Sequence, residues 1–100
     1  MLKSIEIIII SIDKEMLVKI DPVNKQIVTS LKTYQVSDDV INNFLRIIRT
    51  WKGEYLGNTI DGERFTIKID YDNTEEVIKG NGKYPDNYLE FKHFIEAYYD

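Results

Sequence analysis

Cysteine is absent from this 100-residue chain, histidine occurs once and proline twice. The missing thiols exclude a disulfide framework, thiolate metal sites and cysteine nucleophiles together. With His93 alone there is no histidine pair to hold zinc, and its sequence neighbours Glu90 and Glu96 supply no nucleophile for it to activate. We expect a surface histidine, and neither a metal nor a cofactor. Long apolar runs are also lacking. Ile7 to Ile10 is the longest, far short of the ~20 residues of a membrane-spanning helix. The opening Met-Leu-Lys-Ser-Ile-Glu has no apolar core of signal-peptide length before Glu6, so a cytoplasmic protein is expected. Positive charge is the minority: 13 bases against 17 acids leave a net charge of −4. That balance disfavours a phosphate-neutralising surface and suits a basic partner.

What is present reads as one α+β domain over residues 1–100. The 43% hydrophobic and 30% charged fractions are those of a folded globule. Ser4 to Ile12 is a β-branched run apolar on both of its alternating sets. Such a strand is central and covered on both sides, or covered by a helix on one side and a partner on the other. Met16 to Ile20 forms a second strand, Asp21-Pro22-Val23-Asn24 a turn, and Ile27, Thr29 and Leu31 one face of a third strand ending near Tyr34. Ser37 to Trp51 carries an apolar stripe at three-four spacing, with Ser37 as N-cap, Asp38 and Asp39 in the first turn and Gly53 as terminator.

Beyond that helix, Tyr55 to Ile60 predicts a short strand and Asp61-Gly62 a two-residue hairpin turn. Phe65 to Tyr71 alternates as a half-buried strand. Asp72-Asn73 turns into a shorter strand, Glu75 to Lys79, placed near an edge. Gly80-Asn81-Gly82 bends the chain into a second helix opened by Pro85. The expected order is βββ-α-βββ-α: a mainly antiparallel sheet of about five or six strands, two-layered, with both helices on one face.

Motifs with chemical meaning are weak. Asp70, Asp72, Asn73 and Glu75 lack the glycine and bidentate acid of a calcium loop. Gly80-Asn81-Gly82-Lys83 lacks the length and Lys-Ser/Thr ending of a phosphate loop. The second half resembles small bacterial and mobile-element proteins of uncharacterised function. In them a helix ends in tryptophan, a tyrosine follows, Asp-Gly opens a strand and Gly-x-x-x-Tyr-Pro starts the last helix. The matching residues are Trp51, Tyr55, Asp61, Gly62, Phe65, Tyr71, Gly80, Tyr84, Pro85, Asn87 and Tyr88. The resemblance implies the fold.

The expected function is non-enzymatic docking on a protein, in the manner of inhibitors, immunity proteins and phage anti-defence proteins. Aromatic tips that stay wet suit interaction surfaces, which selects Tyr34, Trp51, Tyr98 and Tyr99. Carboxylates for a basic partner are Asp38, Asp39, Asp70, Asp72, Glu75 and Glu76. The alternative is nucleic-acid binding through Arg46, Arg49, Lys52 and Lys68 with Trp51 or Tyr55 for stacking. A carboxylate-dependent hydrolase near Asp70 is a third reading. Self-association through the first strand or the aromatic rim is a further one.

Overall fold

In a computed structural model of the chain, which describes residues 1–57 and 63–99, the elements run β1 (Leu2–Ile10), β2 (Glu15–Asp21), β3 (Gln26–Thr29), β4 (Thr33–Gln35), α1 (Asp38–Ile48), β5 (Glu54–Leu56), β6 (Arg64–Tyr71), β7 (Glu75–Asn81) and α2 (Tyr88–Glu96). All seven strands join one sheet in the order β4-β3-β2-β1-β6-β7-β5. The expected α+β class with a mostly antiparallel sheet holds. The apolar first strand is central, flanked by three strands on each side. Ile5, Ile7 and Ile9 face Ile20, Val18 and Met16 on β2, and Ile69, Ile67 and Phe65 on β6.

Those residues, with Ile27 and Ile78, make the covered face of the sheet. Against it pack Ile41, Phe44, Ile47 and Ile48 of α1, Phe91 and Ile95 of α2, and Trp51. Both helices therefore lie on the same face, as the stripe of α1 requires. Ser37 adopts the extended backbone of an N-cap, but its side chain makes no capping bond; its carbonyl accepts from Val40 and Ile41 instead.

Three expectations need correction. The third strand does not run on to Tyr34. The Thr29 hydroxyl accepts the amide hydrogens of Leu31 and Lys32, and the Thr29 amide donates to the Lys32 carbonyl at 2.9 Å. That side-chain turn competes with the ladder and splits the segment into β3 and β4, leaving Leu31 exposed. Ile12 likewise lies beyond β1 and is exposed. The short strand after α1 does not form a hairpin with β6. Both edges of β6 are taken by β1 and β7, so β5 joins the outer edge of β7, in parallel. Gly53, at φ +66°, turns the chain into that position, and its carbonyl accepts from Lys79 at 3.0 Å. With β5 outside it, β7 lies one strand in from the edge, in keeping with its expected place near an edge. The Asp61-Gly62 turn and the end of the predicted strand at Ile60 lie outside the described residues.

Candidate protein-docking surface

With both helices on one face, no element among the described residues covers the other face of the sheet. Alternation along the strands puts Glu6, Ile8 and Ile10 of β1 there, with Leu17 and Lys19 of β2, Val28 of β3, Thr66 and Lys68 of β6, and Val77 and Lys79 of β7. Ile8 sits between Leu17 and Thr66, and Glu6 between Lys19 and Lys68. Opposite charges in register stabilise the middle row. Beside it lie the aliphatics Leu17, 46% exposed, and half-buried Ile8 and Ile10, while Val28 and Val77 stand at the two ends of the charged row, in register with Lys19 and Lys68. A shallow groove of about 440 Å³ runs between β1, β2 and β3, lined on this face by Glu6, Ile8, Leu17, Lys19, Val28 and Ser30. The expectation that β1 is apolar on both sides is thus met by a helix layer on one side and open aliphatic surface on the other.

The rim of this groove is closed by Tyr99. Because β3 stops at Thr29 while β2 begins at Glu15, the Leu17 amide has no strand partner on that side. It donates to the Tyr99 hydroxyl at 3.2 Å, which also bonds the Ser30 hydroxyl at 2.9 Å. Tyr98, one residue back, packs edge-to-face on Tyr34 of β4 with centroids 5.1 Å apart, and the Lys32 ammonium lies 4.7 Å from the centre of the Tyr34 ring. Burial, then the neighbouring Tyr34, push the Tyr98 phenol up. The structure brings Tyr34, Tyr98 and Tyr99 together as a half-buried rim. Trp51 is not among them: it is 2% exposed, and its expected place on an interaction surface is corrected to the core.

The predicted carboxylates converge on one end of the sheet. Asp70 and Glu75 are opposite each other on β6 and β7, and Asp72 lies at the hairpin turn, where its carboxylate approaches the N-terminal ammonium at 3.8 Å. Glu76 points to the covered side, in register with Ile69. Asp38 reaches the same end from α1 and pairs with Lys25 of the β2–β3 turn at 3.4 Å; Asp39 beside it is exposed. Asp21 adds a carboxylate the sequence reading did not select. It accepts the Val23 and Asn24 amides, both at 3.0 Å. Its hydrogen bonds, those from Asn24 first, hold its pKa below the ordinary 3.8. From Asp21 to Glu75 the row spans about 15 Å of sheet width.

Of the cations proposed for nucleic acid, Arg46, Arg49 and Lys52 line one cleft beside α1 on the covered side, whereas Lys68 lies apart on the open face. Arg46 is held by Glu90 and Asn43. Neither Trp51, which is buried, nor Tyr55, in register with Gly80 on the covered side, is available to a base on the open face. His93 is exposed on α2.

Of the residues carrying the resemblance, Trp51, Phe65, Tyr84, Asn87 and Tyr88 form an internal knot, whereas Tyr71 is exposed and Asp61 and Gly62 lie outside the described residues. The Trp51 indole donates to Asn87 Oδ1 at 2.7 Å, and Asn87 Nδ2 donates to the Ile47 carbonyl at 2.8 Å. The Phe65 ring lies among those of Trp51, Tyr84, Tyr88 and Phe91. Tyr84 donates to the Glu63 carbonyl at 2.7 Å, while the Glu63 carboxylate accepts from Tyr88 and from Lys92, the latter at 2.6 Å. Burial, reinforced by that bond and the Glu63 charge, raises the Tyr88 phenol far above its ordinary value. Sequence reasoning missed the Glu63–Lys92 pair, which is long-range. It also missed the open-face aliphatics Ile8, Ile10, Leu17 and Val28, although the doubly apolar first strand was their signal.

No helix among the described residues is long and apolar enough to cross a membrane. No protein-family model matches the chain, and neither a curated protein nor a solved structure matches it significantly.

Proposed function

We propose that this protein is a non-enzymatic docking module that occludes or anchors a protein partner through the open face of its sheet. The observation behind this reading is the uncovered aliphatic surface around Ile8 and Leu17, in a chain whose other β1 and β2 aliphatics are nearly all buried. A contiguous apolar surface rimmed by polar groups is what an interaction site presents. The carboxylates Asp21, Asp70 and Glu75 lie on the same face at its end, so the partner brings an aliphatic patch flanked by basic residues. Electrostatic complementarity of this kind sets approach and orientation, while the aliphatic centre supplies the affinity. Inhibitors, immunity proteins and anti-defence proteins act by such occlusion. The open face offers aliphatic side chains and no aromatic platform, which favours protein over single-stranded nucleic acid.

The test is capture of partners from the native cell or its host by the intact protein, compared with Leu17→Lys and with an Asp70→Lys/Glu75→Lys pair. Both alterations are on exposed or half-exposed positions and leave the core untouched. A partner retained by the parent and lost by Leu17→Lys, with thermal unfolding unchanged, supports docking through this face; the charge reversal is expected to slow association and weaken its salt dependence. Retention by both variants, or tight salt-sensitive binding of nucleic acid in a retardation assay, overturns the reading.

A further inference from the structure

On the covered side a cleft of about 450 Å³ opens between the flank of α1 and the β6–β7 hairpin. Its size falls in the range of small-ligand sites, roughly 300–1,000 Å³. Its apolar lining is the half-buried Leu45 at the helix edge, above Ile48, Trp51, Ile69 and Ile78, which are at most 5% exposed. The helix wall carries Asn42, Arg49 and Lys52, and the hairpin wall Tyr71 and Glu76. Arg46 also borders the cleft, but its charge is satisfied by Glu90. Among the described residues neither Arg49 nor Lys52 has an ion pair within 4.0 Å. Two uncommitted cations therefore stand over an apolar floor, in a protein that is acidic overall.

We infer that this cleft binds an organic monocarboxylate with a small apolar body, its carboxylate on Arg49 and Lys52 and its body against Leu45 and the edge of Ile69. A planar guanidinium takes a carboxylate through paired hydrogen bonds, and the ammonium adds a point charge. Glu76, facing them across the floor, sets the charge limit: it repels a second negative group and so disfavours phosphomonoesters and the polyanionic backbone of nucleic acid. Tyr71 beside it offers a hydroxyl to a polar substituent on the body. The site is independent of the open-face reading, since it lies on the other side of the sheet and shares no residue with the groove there.

Amide shifts of the intact protein titrated with phenylacetate test the inference. Saturable shifts are expected at Asn42, Arg49, Lys52, Tyr71 and Glu76, with little change at Leu17 or Val28. Phenylacetamide, the neutral isostere, and inorganic phosphate, which has no apolar body, are expected to bind far more weakly. Arg49→Gln and Lys52→Gln should each weaken phenylacetate roughly fivefold, the low end for a charge-assisted bond at a partly solvated site. Glu76→Gln should strengthen it, an opposite sign that general loss of folding cannot imitate. A short peptide ending in Phe, with a free or an amidated C-terminus, separates a peptide carboxylate from a free acid as the source. Tighter binding of the free-ended peptide than of phenylacetate marks a chain terminus as the ligand, and the reverse marks a small acid. Absence of saturable shifts at tens of millimolar phenylacetate, equal binding of phenylacetamide, or indifference to all three substitutions overturns the proposal.

Discussion

Replacing Asn87 by Ala removes the one side chain that ties the end of α1, the buried tryptophan and the start of α2 together. Two hydrogen bonds go at once, 2.7 Å from the Trp51 indole and 2.8 Å to the Ile47 carbonyl. Neither group left behind has a ready substitute. Trp51 is 2% exposed, and Ile47 lies in the last turn of α1, where carbonyls have no intrahelical partner; the Trp51 amide already donates to Ile48. An orphaned buried polar group costs about 1–3 kcal/mol. A neighbouring cleft bordered by Thr50, Trp51, Lys83 and Asn87 admits water, which places the total near the low end, about 2–4 kcal/mol. For a domain of this length that lowers Tm by roughly 10–25 °C. Asn87→Asp keeps an acceptor for the indole but sets a carboxylate oxygen against the Ile47 carbonyl in place of the donor, so at neutral pH it is expected to cost at least as much. Urea unfolding followed by far-UV circular dichroism and by Trp51 fluorescence measures both. An Asn87→Ala variant within about 0.5 kcal/mol of the parent would refute the reasoning (the threshold is about the ordinary scatter of neutral surface changes), as would an Asp variant as stable as the parent.

Gly80→Ala places a Cβ 2.3 Å from Phe65 Cε1. The ring must leave its aromatic neighbours, and a loss of about 1–3 kcal/mol with a changed near-UV spectrum is expected. Tyr88 holds its proton more tightly folded than unfolded, where its value is near 10.0. Its contribution is complete below that pH and lost as pH rises, because the unfolded chain releases the proton first. Alkaline unfolding should therefore be less steep in Tyr88→Phe. Asp21 has the opposite sign: its folded pKa lies below 3.8, so its contribution is present above that pH and lost on acidification. Asp21→Asn keeps an oxygen acceptor for the turn amides and should flatten the acid limb of a stability–pH profile.

Much of the fold could be read locally. The stripe of α1 needed only its three-four spacing, and β6 only its alternation from Phe65 to Tyr71. The parallel β5–β7 pair was not legible, because it depends on which strand edges remain open after β1 has claimed β6. The break between β3 and β4 was nearly so: a threonine before Ser-Leu-Lys can accept backbone amides, but alternation through Leu31 pointed the other way. For the site, the carboxylates on the hairpin were neighbours in sequence, yet their meeting with Asp38 required the helix to start beside the β2–β3 turn. Trp51 reads as surface from its aromatic type, which suits interaction sites, although it also ends the apolar stripe of the predicted helix. It is buried because the Asn87 side chain reaches back to satisfy its indole.

By itself, then, the sequence determined the elements, the acidic character and the lack of thiol chemistry, since each follows from residue type and spacing of near neighbours. Only the tertiary structure decided which surfaces exist. Among the described residues, two helices on one face of a seven-stranded sheet leave the other face uncovered, which puts Ile8 and Leu17 on open surface. The gap between α1 and the β6–β7 hairpin leaves a cleft beneath Arg49 and Lys52. Both outcomes depend on how layers cover one another, a long-range property that no local pattern encodes.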